Sequence, residues 1–173
     1  MKPSYLVRGL PGHPSHPPLT DATIGVYTFA TVAALAGALF DHGNFAEAWW
    51  LALIVGLVFS APTSVTGIAD WLLITRGTPL WRTATIHGGV NLSATVLFAL
   101  AAILGHGAYH DAEVTALPLV LTLAGFGTLA LGGWLGGTLT FVHGMRVVDR
   151  PDEPAARAAS PVPKPELDEA DEA

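Results

Sequence analysis

His16, Asp21, Asp70, His87 and His143 lie in or beside long apolar stretches of this chain, toward the end where its positive charge collects. Imidazole nitrogens suit haem iron, zinc and copper, and a neighbouring carboxylate fixes an imidazole's tautomer. His87 is the most informative of the five, lying about 9 Å into its apolar stretch from Trp81. An ionisable residue at such depth is costly and faces a bundle interior with a partner. Thr83, His87 and Asn91 follow an i, i+4, i+8 spacing and share one polar stripe of a helix. Three uses stay open for His87: packing glue bonded to another helix, ligation of a cofactor or metal, and a proton relay.

The other candidates carry plainer readings beside the chemical ones. His143, followed by Gly144, Met145 and Arg146, suits a helix C-terminus by its charge. At the depth of His87 it also suits the role of a second axial ligand. Of the two Pro-flanked histidines, His13 reads as solvated, and His16 stands nearer the apolar stretch. Thr20 or Asp21 reads as the N-cap of the first span. Asp70 reads as an ion-pair partner of Arg76 or Arg82, or as support behind a histidine; Asn91 has the same supporting role. Arg82 suits an anionic group, a lipid phosphate or a haem propionate. If the ligand is a metal ion and not haem, the set is His16, Asp21, His87 and His143.

Four helices must position these groups. The chain has 173 residues, of which 51% are hydrophobic and 13% charged. A soluble domain carries roughly 25% charged residues. The apolar runs cover about 22–40, 49–74, 81–104 and 117–142, each long enough to cross a core of about 30 Å. Short loops make successive spans antiparallel neighbours, so the expected fold is an all-α membrane four-helix bundle over 22–148.

All eight Lys and Arg residues fall on one side of these spans: Lys2, Arg8, Arg76, Arg82, Arg146, Arg150, Arg157 and Lys164. The two remaining loops carry only Asp41, Glu47, Asp111 and Glu113 as charges, together with His42, His106 and His110. Positive charge marks the cytoplasmic face, so both termini are expected there, in a bacterial inner membrane. The first apolar run follows a Pro-rich polar arm and is expected to be retained, not cleaved as a signal peptide.

Residues 1–21 form that arm, with Pro3, Pro11, Pro14, Pro17 and Pro18 arguing against a continuous helix. Residues 149–173 hold five prolines and eight carboxylates, and are expected to be a disordered acidic tail. This tail supplies most of the net charge of −6, so the charge says nothing of basic partners. There is no basic patch with interleaved aromatics, which argues against nucleic acid. With no cysteine, disulfides, thiolate sites and covalent c-type haem are excluded.

Trp49, Trp50, Trp71 and Trp81 stand where interfacial aromatic rings are expected. Pro62 is expected to kink the second span, with nearby hydroxyls satisfying the freed carbonyl. Gly132/Gly136 and Gly133/Gly137 match small-xxx-small spacing, for close helix packing or an oligomer contact. No internal repeat is legible, although a two-plus-two arrangement of hairpins is open.

Gly12-His13-Pro14-Ser15-His16-Pro17-Pro18-Leu19 opens the first span, and Trp134-Leu135-Gly136-Gly137-Thr138-Leu139 with Val142-His143-Gly144 closes the fourth. In these motifs the chain resembles the bacterial integral-membrane family called domain of unknown function 2231, over about 12–148. The resemblance implies four spans and, from the association of some members with Rieske-type redox proteins, a b-type haem or quinone-linked role. It carries over His16, His87 and His143. The chain departs from the family where many members have a histidine in Leu-Val-His-Phe-Pro; here the stretch reads Leu19-Thr20-Asp21-Ala22-Thr23.

The leading expectation is a non-enzymatic electron-transfer subunit, with haem b held by His87 and His143, His16 as the alternative ligand, and Arg82 nearby. The alternatives are an accessory membrane subunit with a satisfied His/Asp cluster, and a small transporter.

Overall fold

The structure is a computed structural model and describes residues 4–40 and 43–161. Lys2, Asp41, His42, Lys164 and residues 162–173 of the acidic tail lie outside the described residues. In chain order the elements are α1 (Ser4–Arg8), β1 (Gly9–Leu10), β2 (His13–Pro14), α2 (His16–Phe40), α3 (Gly43–Trp71), α4 (Pro79–Leu104), α5 (His106–Asp111), α6 (Ala116–Phe141) and α7 (Ala155–Ala158). Helices α2, α3, α4 and α6 are each long and apolar enough to cross a membrane, and together they form an all-α four-helix bundle.

The first span begins at His16, earlier than the expected Ala22. Pro17 and Pro18 fall in its first turn, where a backbone N–H has no helical partner to lose. Asp21 is therefore inside the helix and exposed, not an N-cap. Thr20 likewise returns its hydroxyl to the His16 carbonyl at 2.9 Å. The third span also starts early, at Pro79, with Thr78 as N-cap accepting the Trp81 N–H at 3.1 Å.

Small and hydroxylated residues let the helices approach. Ala30, Ala33, Ala34, Ala94, Ala101 and Ala102 are buried, while Phe29, Val32, Leu92, Val96, Leu131 and Trp134 point outward. That inversion suits a surface solvated by lipid. Hydroxyls satisfy themselves on the preceding turn: Ser60, Thr63 and Thr66 donate to the Gly56, Phe59 and Pro62 carbonyls. These bonds do not reach the Val58 carbonyl, the one expected to be freed by Pro62.

Trp49 departs from its expected interfacial role. Because α3 starts at Gly43, Trp49 lies nearly two turns inside it, wholly buried, and its indole N–H donates to Thr122 Oγ1 at 3.1 Å. Trp50 is partly buried and donates to the Ala102 carbonyl at 2.9 Å. At the other end, Trp71 and Trp81 rings lie 6.1 Å apart and Trp71 donates to Thr85 Oγ1.

α2 packs chiefly on α3, and α4 chiefly on α6; α3–α4 and α2–α6 contacts close the ring. The two hairpins repeat one another. Tyr27 of α2 lies over Gly56 of α3, and Phe98 of α4 lies over Gly125 of α6; a Cβ on either glycine would run into the ring. The two rings stack on each other, with centroids 3.9 Å apart and planes 8° from parallel. At the same offsets along the chain, Ala30 matches Ala101, Thr23 matches Ala94 and Leu53 matches Thr122, all buried. The bundle thus has an approximate two-fold relation between its hairpins, with the Tyr27–Phe98 stack bridging the diagonal between α2 and α4.

Candidate functional site

His16 and Tyr27 are eleven residues apart on α2, as are His87 and Phe98 on α4. Eleven residues turn a helix through just over three full turns, so each histidine shares the face of its aromatic partner, about 16 Å along the axis. The two histidines therefore lie on the faces that α2 and α4 turn toward each other across the bundle, and they are within electrostatic reach of each other.

Their surroundings repeat as well. His16 Nδ1 is 3.1 Å from the Thr63 carbonyl and 3.0 Å from Thr66 Oγ1. His87 Nδ1 is 2.9 Å from the Gly132 carbonyl. One turn further along each partner helix is a glycine under the ring: a Cβ at Gly67 would stand 2.8 Å from His16 Cε1, and one at Gly136 would stand 3.1 Å from His87 Cε1. A carbonyl acceptor makes Nδ1 the protonated nitrogen and leaves Nε2 with its lone pair. Metal-binding histidines take this state when the second ring nitrogen is anchored to a carbonyl.

Asn91 sits against His87. Its Nδ2 donates to the His87 carbonyl at 2.9 Å and lies 3.3 Å and 3.4 Å from the two ring nitrogens. Gly132 has room for only the Asn91 amide beside it. The Gly132/Gly136 pair is thus used inside the chain, between α4 and α6. Gly133 faces open space.

His143 belongs elsewhere. It follows the end of α6, and its Nε2 is 3.1 Å from Thr83 Oγ1. Thr83 is one turn before His87 on α4, so His143 lies about 6 Å nearer the helix start than His87. Asp21 is five residues after His16, about 140° around α2 from it. The set His16, Asp21, His87 and His143 does not converge. Among the described residues no three His, Asp or Glu side chains gather as they would around a metal ion.

Asp70 is buried near the end of α3, and its partners are not Arg76 or Arg82. Arg8 Nε reaches Asp70 Oδ1 at 3.0 Å, and Arg146 Nη1 lies 3.7 Å from the same oxygen. Arg146 Nη2 also donates to the Arg8 carbonyl at 2.7 Å. The arm arrives there because β1 and β2 pair antiparallel, Gly9 with Pro14 and Leu10 with His13, which folds it back on itself. Gly9 and Gly12 have positive φ, a conformation glycine adopts without strain. Ser15 closes the turn through its hydroxyl on the Val7 carbonyl. The Asp70 carboxylate also acts electrostatically on His16 without a hydrogen bond to it. Arg82 and His13 are exposed.

At the opposite end, Trp50, His106, Tyr109 and His110 form a chain of ring contacts, with Trp50 and His106 centroids 5.3 Å apart. This cluster joins α3 to α5.

Sequence reasoning missed Thr63, Gly67 and Arg8, and the equivalence of His16 with His87. Thr63 and Gly132 act through main-chain carbonyls, so their side chains give no signal. Matching the intervals His16–Tyr27 and His87–Phe98 would have found the repeat.

No curated protein and no solved structure matches the chain. A family model described as "Predicted membrane protein (DUF2231)" matches residues 12–149, which include all four spans and all seven histidines. The chain belongs to this family of predicted membrane proteins.

Proposed function

We propose that the chain is an electron-transfer subunit of a bacterial inner membrane, holding one b-type haem between His16 and His87 near its arginine-bearing end, which faces the cytoplasm. The observation that carries this reading is the repeated histidine environment: each Nδ1 on a carbonyl of the companion helix, each ring over a glycine. The orientation rests on the confinement of Lys and Arg to one side of the spans.

The donor set fits a group that needs two imidazoles, one from each of two facing helices. Thr63 and Gly132 would hold the tautomer that leaves each Nε2 its lone pair for a ligand. Asn91 restrains the His87 ring, and the apolar helix faces exclude water. When bound, the haem supplies one-electron exchange at its iron, at a potential set by these surroundings. This assignment moves the second ligand from His143 to His16, because His143 is engaged by Thr83 one turn away.

The test is haem content of the full chain purified in detergent from a haem-sufficient host. About one haem per chain supports the reading, and a folded, colourless protein overturns it. A second reading draws on a different observation: among the described residues no buried side-chain nitrogen or oxygen lacks a partner. A satisfied cluster suits an accessory subunit, whose histidines are interhelical fasteners. A colourless protein destabilised by His16→Ala and His87→Ala is the outcome that favours it.

A further inference from the structure

The arginine-bearing end carries a second feature, independent of the histidine pair. A cavity of about 550 Å³ opens between the loop that follows α3 and the segment that follows α6. Arg8, Asp70, His143 and Arg146 line one part of it, and Leu73, Ile74, Leu80 and Met145 another. Its charges do not balance, since one carboxylate faces two guanidinium groups.

Asp70 is spent on Arg8 Nε and, at longer range, Arg146 Nη1. Both nitrogens at the end of the Arg8 fork have no protein partner among the described residues. The two arginine side chains keep 32% and 29% of their exposure, so both remain reachable. Arg146 is also held at φ 63, a left-handed conformation unusual for a residue with a side chain. Unusual backbone held in place beside an opening is a pointer to use. Arg76, on the loop forming the other wall, is exposed.

A guanidinium fork is matched to phosphate oxygens, and it stands here beside apolar side chains at the end of membrane-length helices. We infer that this cavity binds the phosphate of an anionic membrane lipid, with Arg8 and Arg146 on the headgroup and the Leu73–Ile74–Leu80–Met145 wall on the first part of the acyl chains. The apolar wall favours a lipid over a free phosphate.

The experiment is native mass spectrometry of the full chain released from detergent, after titration with phosphatidylglycerol, phosphatidylcholine or inorganic phosphate. One phosphatidylglycerol should be retained about tenfold more strongly than phosphatidylcholine, whose choline cation cancels the headgroup charge that two guanidinium groups attract. Arg146→Gln should remove that preference. Asp70→Asn should instead strengthen it, because the amide keeps an oxygen for Arg8 Nε while removing the negative charge that competes with the lipid phosphate; a merely structural clasp predicts the reverse. Equal retention of the two lipids overturns the inference, as does loss of the preference in folded Asp70→Asn. Inorganic phosphate competing at concentrations equal to the lipid overturns the lipid assignment.

Discussion

His16 on α2 and His87 on α4 are equivalent residues of two repeated hairpins, each placing Nδ1 on a carbonyl of its companion helix, Thr63 at 3.1 Å and Gly132 at 2.9 Å. The equivalence extends to the glycine beneath each ring and to the Tyr27–Phe98 stack between the same two helices.

The glycines under the rings should be sensitive in a definite order. Gly67→Ala places a methyl 2.8 Å from His16 Cε1, and Gly136→Ala one 3.1 Å from His87 Cε1. Overpacking of this kind costs about 1–3 kcal/mol, with Gly67→Ala the larger. Gly133→Ala, which meets open space, should be neutral or stabilising by less than about 1 kcal/mol. Thermal unfolding in detergent ranks the three.

Asp70 ties the N-terminal arm and the segment after α6 to α3. Asp70→Ala should cost about 1–2 kcal/mol, less than a fully buried pair because both arginines keep solvent contact. Release of the arm should speed tryptic cleavage after Arg8 several-fold while the bundle stays helical. Unchanged cleavage counts against the docking of the arm.

Trp49 and Thr122 join the two hairpins through one buried bond of 3.1 Å. Trp49→Phe and Thr122→Val should each cost about 1 kcal/mol for that bond, apart from lost packing. Combined, they should cost less than the sum of the two, since the second change has no bond left to remove. Additive effects in the double-mutant cycle contradict the coupling.

How far the sequence reaches is clear from particular residues. The bundle is legible because apolar length and one-sided positive charge are carried by many residues at once. His87 and Asn91 stand out because polar groups inside a span have no other place to go. Trp49 misleads, because tryptophan favours interfaces and the start of α3 at Gly43 carries no strong signal. The partner of Asp70 is hidden because it depends on a turn at Pro11 and Gly12 that brings Arg8 back across the arm. The repeat is hidden because equivalent sites hold different residues, Thr63 and Gly132, Thr23 and Ala94, Tyr27 and Phe98. What is shared is a carbonyl, a close approach or a flat ring, not a residue type.

The pairing of His16 with His87 is tested most directly by ultraviolet–visible spectra, oxidised and then dithionite-reduced, of the wild-type protein and the variants His16→Ala, His87→Ala and His143→Ala. The account predicts a Soret band and a reduced α-band in wild type, lost or converted to a one-histidine spectrum in His16→Ala and in His87→Ala, and retained in His143→Ala. Bands lost in His143→Ala and kept in His16→Ala would contradict it.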